Sequence, residues 1–248
     1  MTTASSPTAS SPTVLIAGAT SASGVAAAQA LHDAGARVLV AGTSAGRLAE
    51  RLPFAAARYV ADLADPVETA SLADRIHDEA GPLDGLIHLV GGWRGGKGLA
   101  GQSDEDYDFL HRNVVTTLRN TSRAFFADIA ASPVGRLAVV SSTAVQRPTG
   151  SGANYAAAKA AAEAWTLATA AGLRAAQSGS KQDPVAQHSA AVVLVIKAFV
   201  DAASRARDPE RSFDGFTDVD DFGRAVAGLF DADAAAVNGT RISLVPRA

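Results

Sequence analysis

Thr13-Val14-Leu15-Ile16-Ala17-Gly18-Ala19-Thr20-Ser21-Ala22-Ser23-Gly24 is the stretch that decides the fold. A short apolar run suited to a buried strand passes without a linker into a glycine-bounded turn, and an alanine-rich stretch suited to a helix follows. In such a turn glycine lets the backbone approach a pyrophosphate, and the free N–H groups that open the helix face the anion. The same turn serves as a plain tight connection in many α/β proteins, so alone it leaves both readings open.

Outward from this stretch the alternation repeats. Strands are expected over 14–17, 37–41, 56–60, 85–90, 137–141, 191–196 and 240–245. Helices are expected over 24–34, 45–51, 66–80, 104–129, 155–176 and 218–230. Continuous apolar strands alternating with helices imply a parallel sheet covered on both faces, because each crossover is right-handed and lays its helix on one face. The fold class is therefore α/β, a Rossmann-type doubly wound sheet, in a single domain over 13–248. Residues 1–12 are uncharged Ser, Thr, Ala and Pro after Met1, lack the basic start and apolar middle of a secretory signal, and read as a flexible tail. The polar stretch 177–189 reads as a surface loop.

Composition removes several classes of function. The chain has 248 residues, 48% hydrophobic and 19% charged, with a net charge of -3. Its charges are mixed and no basic stripe appears, which argues against a nucleic-acid partner. No apolar run approaches the roughly 20 residues that span a bilayer. Without cysteine there is no disulfide, thiolate metal site or cysteine nucleophile, and a cytoplasmic location is expected. Lysine is scarce, with only Lys97, Lys159, Lys181 and Lys197, so a lysine on an apolar background calls for a reason.

One such lysine sits in a second constellation. The strand at 137–141 ends at Ser141-Ser142; Tyr155 follows after thirteen residues and Lys159 four later. Residues four apart share a helix face, so the phenol and the ammonium can enter one pocket. Free tyrosine titrates near about 10, and a neighbouring ammonium lowers that value by favouring the phenolate. Ser142 lies at the carboxyl end of a parallel strand, where open α/β sheets hold their ligands, and its hydroxyl suits a substrate carbonyl oxygen. A surface Tyr/Lys pair after an ordinary serine loop is the competing reading.

Ser142, Tyr155 and Lys159 resemble the Ser/Tyr-x-x-x-Lys centre of the short-chain dehydrogenases/reductases, and the resemblance runs from Thr13 to Val245. It implies hydride transfer between NAD(P)(H) and a small carbonyl or alcohol. Tyr155 would be the acid/base, Lys159 would lower its pKa and bind the nicotinamide ribose, and Ser142 would orient the carbonyl. Asn113 falls where the family keeps a fourth catalytic residue that supports a water relay. Cofactor contacts are implied at Gly18, Thr20, Ser21, Ala22, Ser23 and Gly24, at Asp62-Leu63 beside the adenine, and at Val90 and Gly91. The family also implies a homodimer or homotetramer through the alanine-dense helix containing Trp165 and Leu167.

Three positions depart from the family pattern. Ala22 replaces the middle glycine of the first turn, His88-Leu89-Val90-Gly91 keeps only the glycine of the fourth-strand motif, and Ile196-Lys197-Ala198-Phe199-Val200 lacks the Pro-Gly that usually holds the nicotinamide. These departures keep alive an alternative, a catalytically silent NAD(P)-binding sensor or scaffold. His88, alone in an apolar strand without a second ligand at suitable spacing, reads as a structural histidine. Lys197 reads as leaving its strand for solvent.

The loop Gly91-Gly92-Trp93-Arg94-Gly95-Gly96 is similar to a Gly-Trp-Gly loop of the dihydropteridine reductases, a branch of the same family. By that likeness Trp93 would stack on a flat substrate and Arg94 would meet an anionic one, although that branch lacks the serine found here as Ser142. After the second strand, Gly42 stands where an acidic residue selects NAD, and Thr43, Ser44 and Arg47 offer donors to a 2′-phosphate. NADP(H) is therefore expected over NAD(H).

Overall fold

A computed structural model of the chain describes residues 11–180, 182–183 and 185–246. The expected tail at 1–12 lies outside them except for Ser11 and Pro12. The first strand, β1 (Thr13–Ala17), is buried along its whole length and splits its side chains between two cores. Leu15 and Ala17 face one cluster, Val14 and Ile16 the other, as the two-residue period of a strand requires.

In chain order there follow α1 (Ala22–Asp33), β2 (Arg37–Gly42), α2 (Ala45–Arg51), β3 (Ala57–Val60), α3 (Pro66–Ala80) and β4 (Gly85–His88). Next come α4 (Asp104–Leu110), α5 (Thr117–Ala124), α6 (Phe126–Ala131), β5 (Arg136–Ser142), α7 (Ala153–Gln177) and β6 (Ala190–Ile196). The chain closes with β7 (Phe199–Val200), α8 (Ala202–Arg207), β8 (Thr217–Asp218), α9 (Val219–Gly228), α10 (Ala234–Val237) and β9 (Arg241–Ser243). β3-β2-β1-β4-β5-β6-β9 form one sheet, parallel throughout. The chain runs outward from β1 to β3, then returns to place β4 on the other side of β1. That reversal opens a crevice at the carboxyl ends of β1 and β4, the position at which doubly wound sheets bind ligands.

Helices cover both faces. Leu72 and Ile76 of α3, Leu118 of α5 and Leu173 of α7 fill one core. Ala27, Ala28 and Leu31 of α1 and Phe222 and Val226 of α9 fill the other. The alanine-rich composition has a mechanical reason here: a Cβ at Gly223 would lie 2.6 Å from the Ala26 carbonyl oxygen, so α1 and α9 touch nearly backbone to backbone. Far from the crevice, the buried Arg136 donates to the carbonyls of Leu229 (2.6 Å), Gly135 (2.8 Å), His188 (2.9 Å) and Ala232 (2.7 Å). It fastens the amino end of β5 to the segment after α9.

Helices α2 and α3 stand where the periodicity places them, and each of the seven expected strands overlaps one strand of the sheet, the last of them, 240–245, being reduced to Arg241–Ser243. The expected helix over 104–129 is not continuous. It passes through a π-helical segment, His111–Thr116, and breaks again at Phe125 between α5 and α6. The expected strand over 85–90 ends at His88, which leaves Leu89 and Val90 as crevice wall. The short parallel pair β7–β8, together with α8, was not foreseen: two-residue strands carry no legible period. Among the described residues no helix is long and apolar enough to cross a membrane.

Candidate active site

Ser141 and Ser142 end β5 and divide its labour. Ser141 points inward, its hydroxyl donating to Glu163 Oε1 at 2.5 Å. Ser142 turns to the crevice, where its Oγ accepts the Ala144 N–H at 3.1 Å. Opposite, α7 carries Tyr155, Lys159 and Glu163 on one face at successive four-residue steps. Lys159 is only 8% exposed, and its Nζ donates to the Val140 carbonyl at 2.8 Å. Glu163 is buried too and is gripped by Arg241 from β9, at 2.7 Å from Nε and 3.1 Å from Nη2.

These environments set the proton affinities. Burial pushes the Lys159 ammonium down to about 8, against the favourable charge of Glu163. Burial pushes the Tyr155 phenol above its ordinary value, and a hydrogen bond with Ser142 opposes the rise. The expectation that Lys159 draws the phenol down is not met in this arrangement. The ammonium lies 5.9 Å from the centre of the Tyr155 ring and spends a hydrogen bond on Val140.

Asn113 sits in the π-helical segment. Its side-chain amide donates to Phe109 O at 2.8 Å, and its backbone carbonyl accepts the Thr117 hydroxyl at 2.7 Å. A π-turn widens the helix locally and is common beside functional sites. His88 is buried as expected, with its two ring nitrogens 3.1 Å from the hydroxyls of Thr117 and Thr121. Burial, with the Lys159 charge second, lowers its pKa to about 3. A neutral imidazole offers one donor and one acceptor, so one of these threonines turns its proton to the ring and away from a helix carbonyl.

Two cavities meet at Tyr155. The inner, of about 430 Å³, is walled by Ser21, Ser23, Val90, Gly91 and Lys159. The outer, of about 730 Å³, is walled by Ser142, Thr143, Arg147 and Gly152. Trp93, Tyr155 and Lys197 border both. The inner cavity suits a dinucleotide. Gly18 has φ +81°, and a Cβ there would lie 2.8 Å from Val90 N, so the turn packs against the segment that follows β4. Ser21 caps α1 by accepting the Gly24 N–H at 3.0 Å, and the other amides of the first turn remain available to an anion. Ala22 does not line the cavity, so its methyl does not narrow it.

Other expected contacts fall differently. Leu63 is buried in the core, and the Asp62 carboxylate is paired with Arg112; neither lines the inner cavity. Ser44 caps α2 and Thr43 is exposed. Arg47 is exposed and makes no side-chain hydrogen bond among the described residues, whereas Arg51, one turn on, donates to the Thr20 carbonyl at 2.7 Å. Arg94 lies flat on Phe109 at 3.8 Å and faces Asp106 at 3.5 Å, which turns it away from both cavities. Trp93 is 68% exposed at the rim. Lys197 does reach solvent, yet it also borders both cavities and donates to the Asp214 carbonyl at 2.7 Å.

Reading the sequence alone missed Glu163, Arg241, Arg51 and Arg147. Glu163 had a signal, its four-residue spacing from Lys159. Arg241 had none, because the sheet brings it to Glu163 from 78 positions away.

A parallel sheet with a phosphate-facing turn at its reversal and a Ser/Tyr/Lys cluster beside it defines a nucleotide-dependent oxidoreductase of Rossmann type. The sequence profile of the short chain dehydrogenase family matches residues 12–177, and the chain belongs to that family. It is an NAD(P)-dependent oxidoreductase. Among solved structures it is similar to a short-chain oxidoreductase from Pseudomonas aeruginosa PAO1 containing an atypical catalytic center, with TM-score 0.79, 17% identity and coverage of 94% and 95% of the two chains. It is also similar to a gluconate 5-dehydrogenase from Burkholderia cenocepacia J2315 in complex with NADP and tartrate, with TM-score 0.74, 23% identity and coverage of 94% and 93%. An actinorhodin polyketide ketoreductase variant with NADPH gives TM-score 0.78, 20% identity and coverage of 95% and 96%. Comparison with curated proteins gives no match.

The buried histidine makes stability depend on pH. Its folded pKa of about 3 lies below the unfolded value of 6.5, so the unfolded chain binds more protons between the two. Its stabilising share is complete above 6.5 and is lost as the pH falls, at about 1.4 kcal/mol per pH unit in that window. Urea unfolding from pH 7 to pH 4 should show this slope, and His88→Asn should flatten it. An equally steep slope in the variant would assign the loss to other groups.

Proposed function

We propose that the chain reduces the carbonyl group of a small molecule with NADPH, through Tyr155, Ser142, Lys159 and Asn113. The observation that carries this reading is the meeting of Ser142, Tyr155 and Lys159 at the junction of two cavities, of which only the inner one touches the phosphate-facing turn. A bound nicotinamide supplies the hydride. Ser142 holds the carbonyl oxygen and stabilises the negative charge that grows on it. The C=O electron pair moves to that oxygen, which takes the phenolic proton of Tyr155. Burial keeps this phenol protonated near neutral pH, the state a donor needs. Lys159, with a pKa of about 8, is charged at neutral pH and close enough to neutrality to pass a proton onward. It also suits the ribose hydroxyls. Asn113 holds the widened helix turn along which a water would connect the site to solvent.

A silent sensor would have little use for a protonated phenol beside Ser142 and Lys159, so turnover is the favoured reading. The cofactor turn and the cluster belong to one domain over 13–248, which we place in the cytoplasm.

For the cofactor, Arg51 takes the part expected of Arg47. Its guanidinium lies against the Thr20 carbonyl on the first turn, and Gly42 offers no carboxylate to repel a phosphate. The two NADP(H)-bound similar structures accord with this preference. For assembly, α7 leaves Ala157, Ala160, Ala161, Ala164, Ala168 and the 40%-exposed Leu167 on the surface. A face this small-chained lets a second copy approach closely, and we propose a homodimer or homotetramer built on it.

Tyr155→Phe should lower NADPH-dependent turnover at least ~10²-fold and leave cofactor binding near wild type; an unchanged rate removes Tyr155 from the mechanism. Arg51→Gln should weaken NADPH binding about tenfold at low salt and spare NADH, since a charge-assisted contact is lost only for the 2′-phosphate. Side-by-side titrations in which the wild type prefers NADH would reverse the assignment. Leu167→Glu should convert the assembly to a lower mass in light scattering, and a wild-type chain already monomeric at micromolar concentration would refute the interface.

A further inference from the structure

We infer that the substrate is an oxo acid, whose carboxylate is held by Arg147 and Lys197 while its carbonyl faces Ser142 and Tyr155. The inference rests on the carbonyl-reducing reading above and names the class of compound that the outer cavity admits. That cavity has two cationic side chains on its wall and, among its described lining residues, no carboxylate. In a chain with net charge -3 the imbalance is local to the site.

Both cations are positioned with respect to the reacting atoms. Arg147 lies five residues after Ser142, at the end of the short 3-10 turn Thr143–Val145, and its N–H bonds the Thr143 carbonyl at 3.2 Å. The Ser142 hydroxyl itself caps that turn at Ala144, so serine and arginine are carried by one loop. The Arg147 guanidinium is exposed and makes no salt bridge or side-chain hydrogen bond among the described residues. Its five donors are therefore free for a planar carboxylate.

Lys197 approaches from the other wall. It leaves β6 at the place where the family's Pro-Gly is absent, donates to the Asp214 carbonyl, and lies 5.4 Å from the Phe216 ring. Gly215 between them has φ +74°, and a Cβ there would come 3.3 Å from Lys197 Cδ. The segment before β8 is thus shaped around the lysine stem. Its bond to a neutral carbonyl, with no carboxylate partner among the described residues, leaves the positive charge uncompensated. Arg94, the cation expected to meet an anion, is held by Phe109 and Asp106 and takes no part. A carboxylate entering the cavity pairs with charges that no carboxylate on its wall neutralises, whereas the corresponding ester gains nothing from them.

The test uses the full chain and two oxo acids, acetoacetate and levulinate, against their methyl esters. Calorimetric binding to the chain alone at low salt should favour at least one acid over its ester by about tenfold or more, and the preference should shrink as salt rises. Arg147→Gln should abolish most of it, Arg147→Lys should restore part, and Lys197→Gln should reduce it. Acids and esters bound alike, or a preference that survives both Arg147→Gln and Lys197→Gln, would overturn the inference. NADPH consumption with the same four compounds separates it from the reading beneath: an acid that binds through Arg147 and is never reduced upholds the anion site and refutes the reductase. Esters reduced as fast as acids uphold the reductase and refute the anion site.

Discussion

The buried ammonium of Lys159 is the constraint around which this molecule is arranged. A charge that is 8% exposed must be met by polar groups, and three elements contribute. β5 gives the Val140 carbonyl and α7 gives the Glu163 charge one turn on, while β9 acts at one remove through Arg241, which with Ser141 holds Glu163 in place. The same bonds that compensate the lysine therefore dock α7 onto the sheet. Tyr155 stands on that helix one turn earlier, so its distance from Ser142 is a consequence of how the charge is housed. Gly91 passes beside the ammonium, and both residues line the inner cavity.

Much of the fold was legible because burial on both faces writes itself into sequence. Strands such as Val14–Ala17 and Ala191–Ile196 have no polar side to show, and a parallel sheet is the arrangement that needs none. Helix α3 was legible to the residue because Asp65 caps it, Pro66 opens it and Gly81 ends it. The helix over 104–129 was misjudged for a physical reason. A π-turn keeps the apolar spacing of Leu110, Val114 and Leu118 nearly intact while it alters the hydrogen bonding, and periodicity senses only the former.

The site divides in the same way. Tyr155, Lys159 and Ser142 announced themselves by spacing, since one helix and one strand end hold them. Residues that act across the sheet or over a loop did not. Arg94 and Arg47 were the nearest cations to their expected ligands in sequence, but a long side chain settles on whatever surface is closest, here Phe109 and solvent. Arg147 and Arg51, which we propose in those places, are carried by the loop after the turn Thr143–Val145 and by helix α2. The phenol taught the sharper lesson. Its proton affinity is governed by its burial and by Ser142, and the lysine one turn away is engaged elsewhere.

The notch at Gly223 ties the crevice to a distant part of the sequence. Helix α1, which follows the glycine-bounded turn, lies against α9 with no side chain between Gly223 and the Ala26 carbonyl. The family profile ends at residue 177, so this contact comes from a part of the chain outside it. A Cβ at position 223 would meet Ala26 and Ala30, neither of which lines the inner cavity, and would push α1 away from α9. Because Ser21 and Ser23 of the same turn and helix do line that cavity, a change of one methyl group more than two hundred residues from β1 in sequence would act on it as a lever acts, through α1 alone.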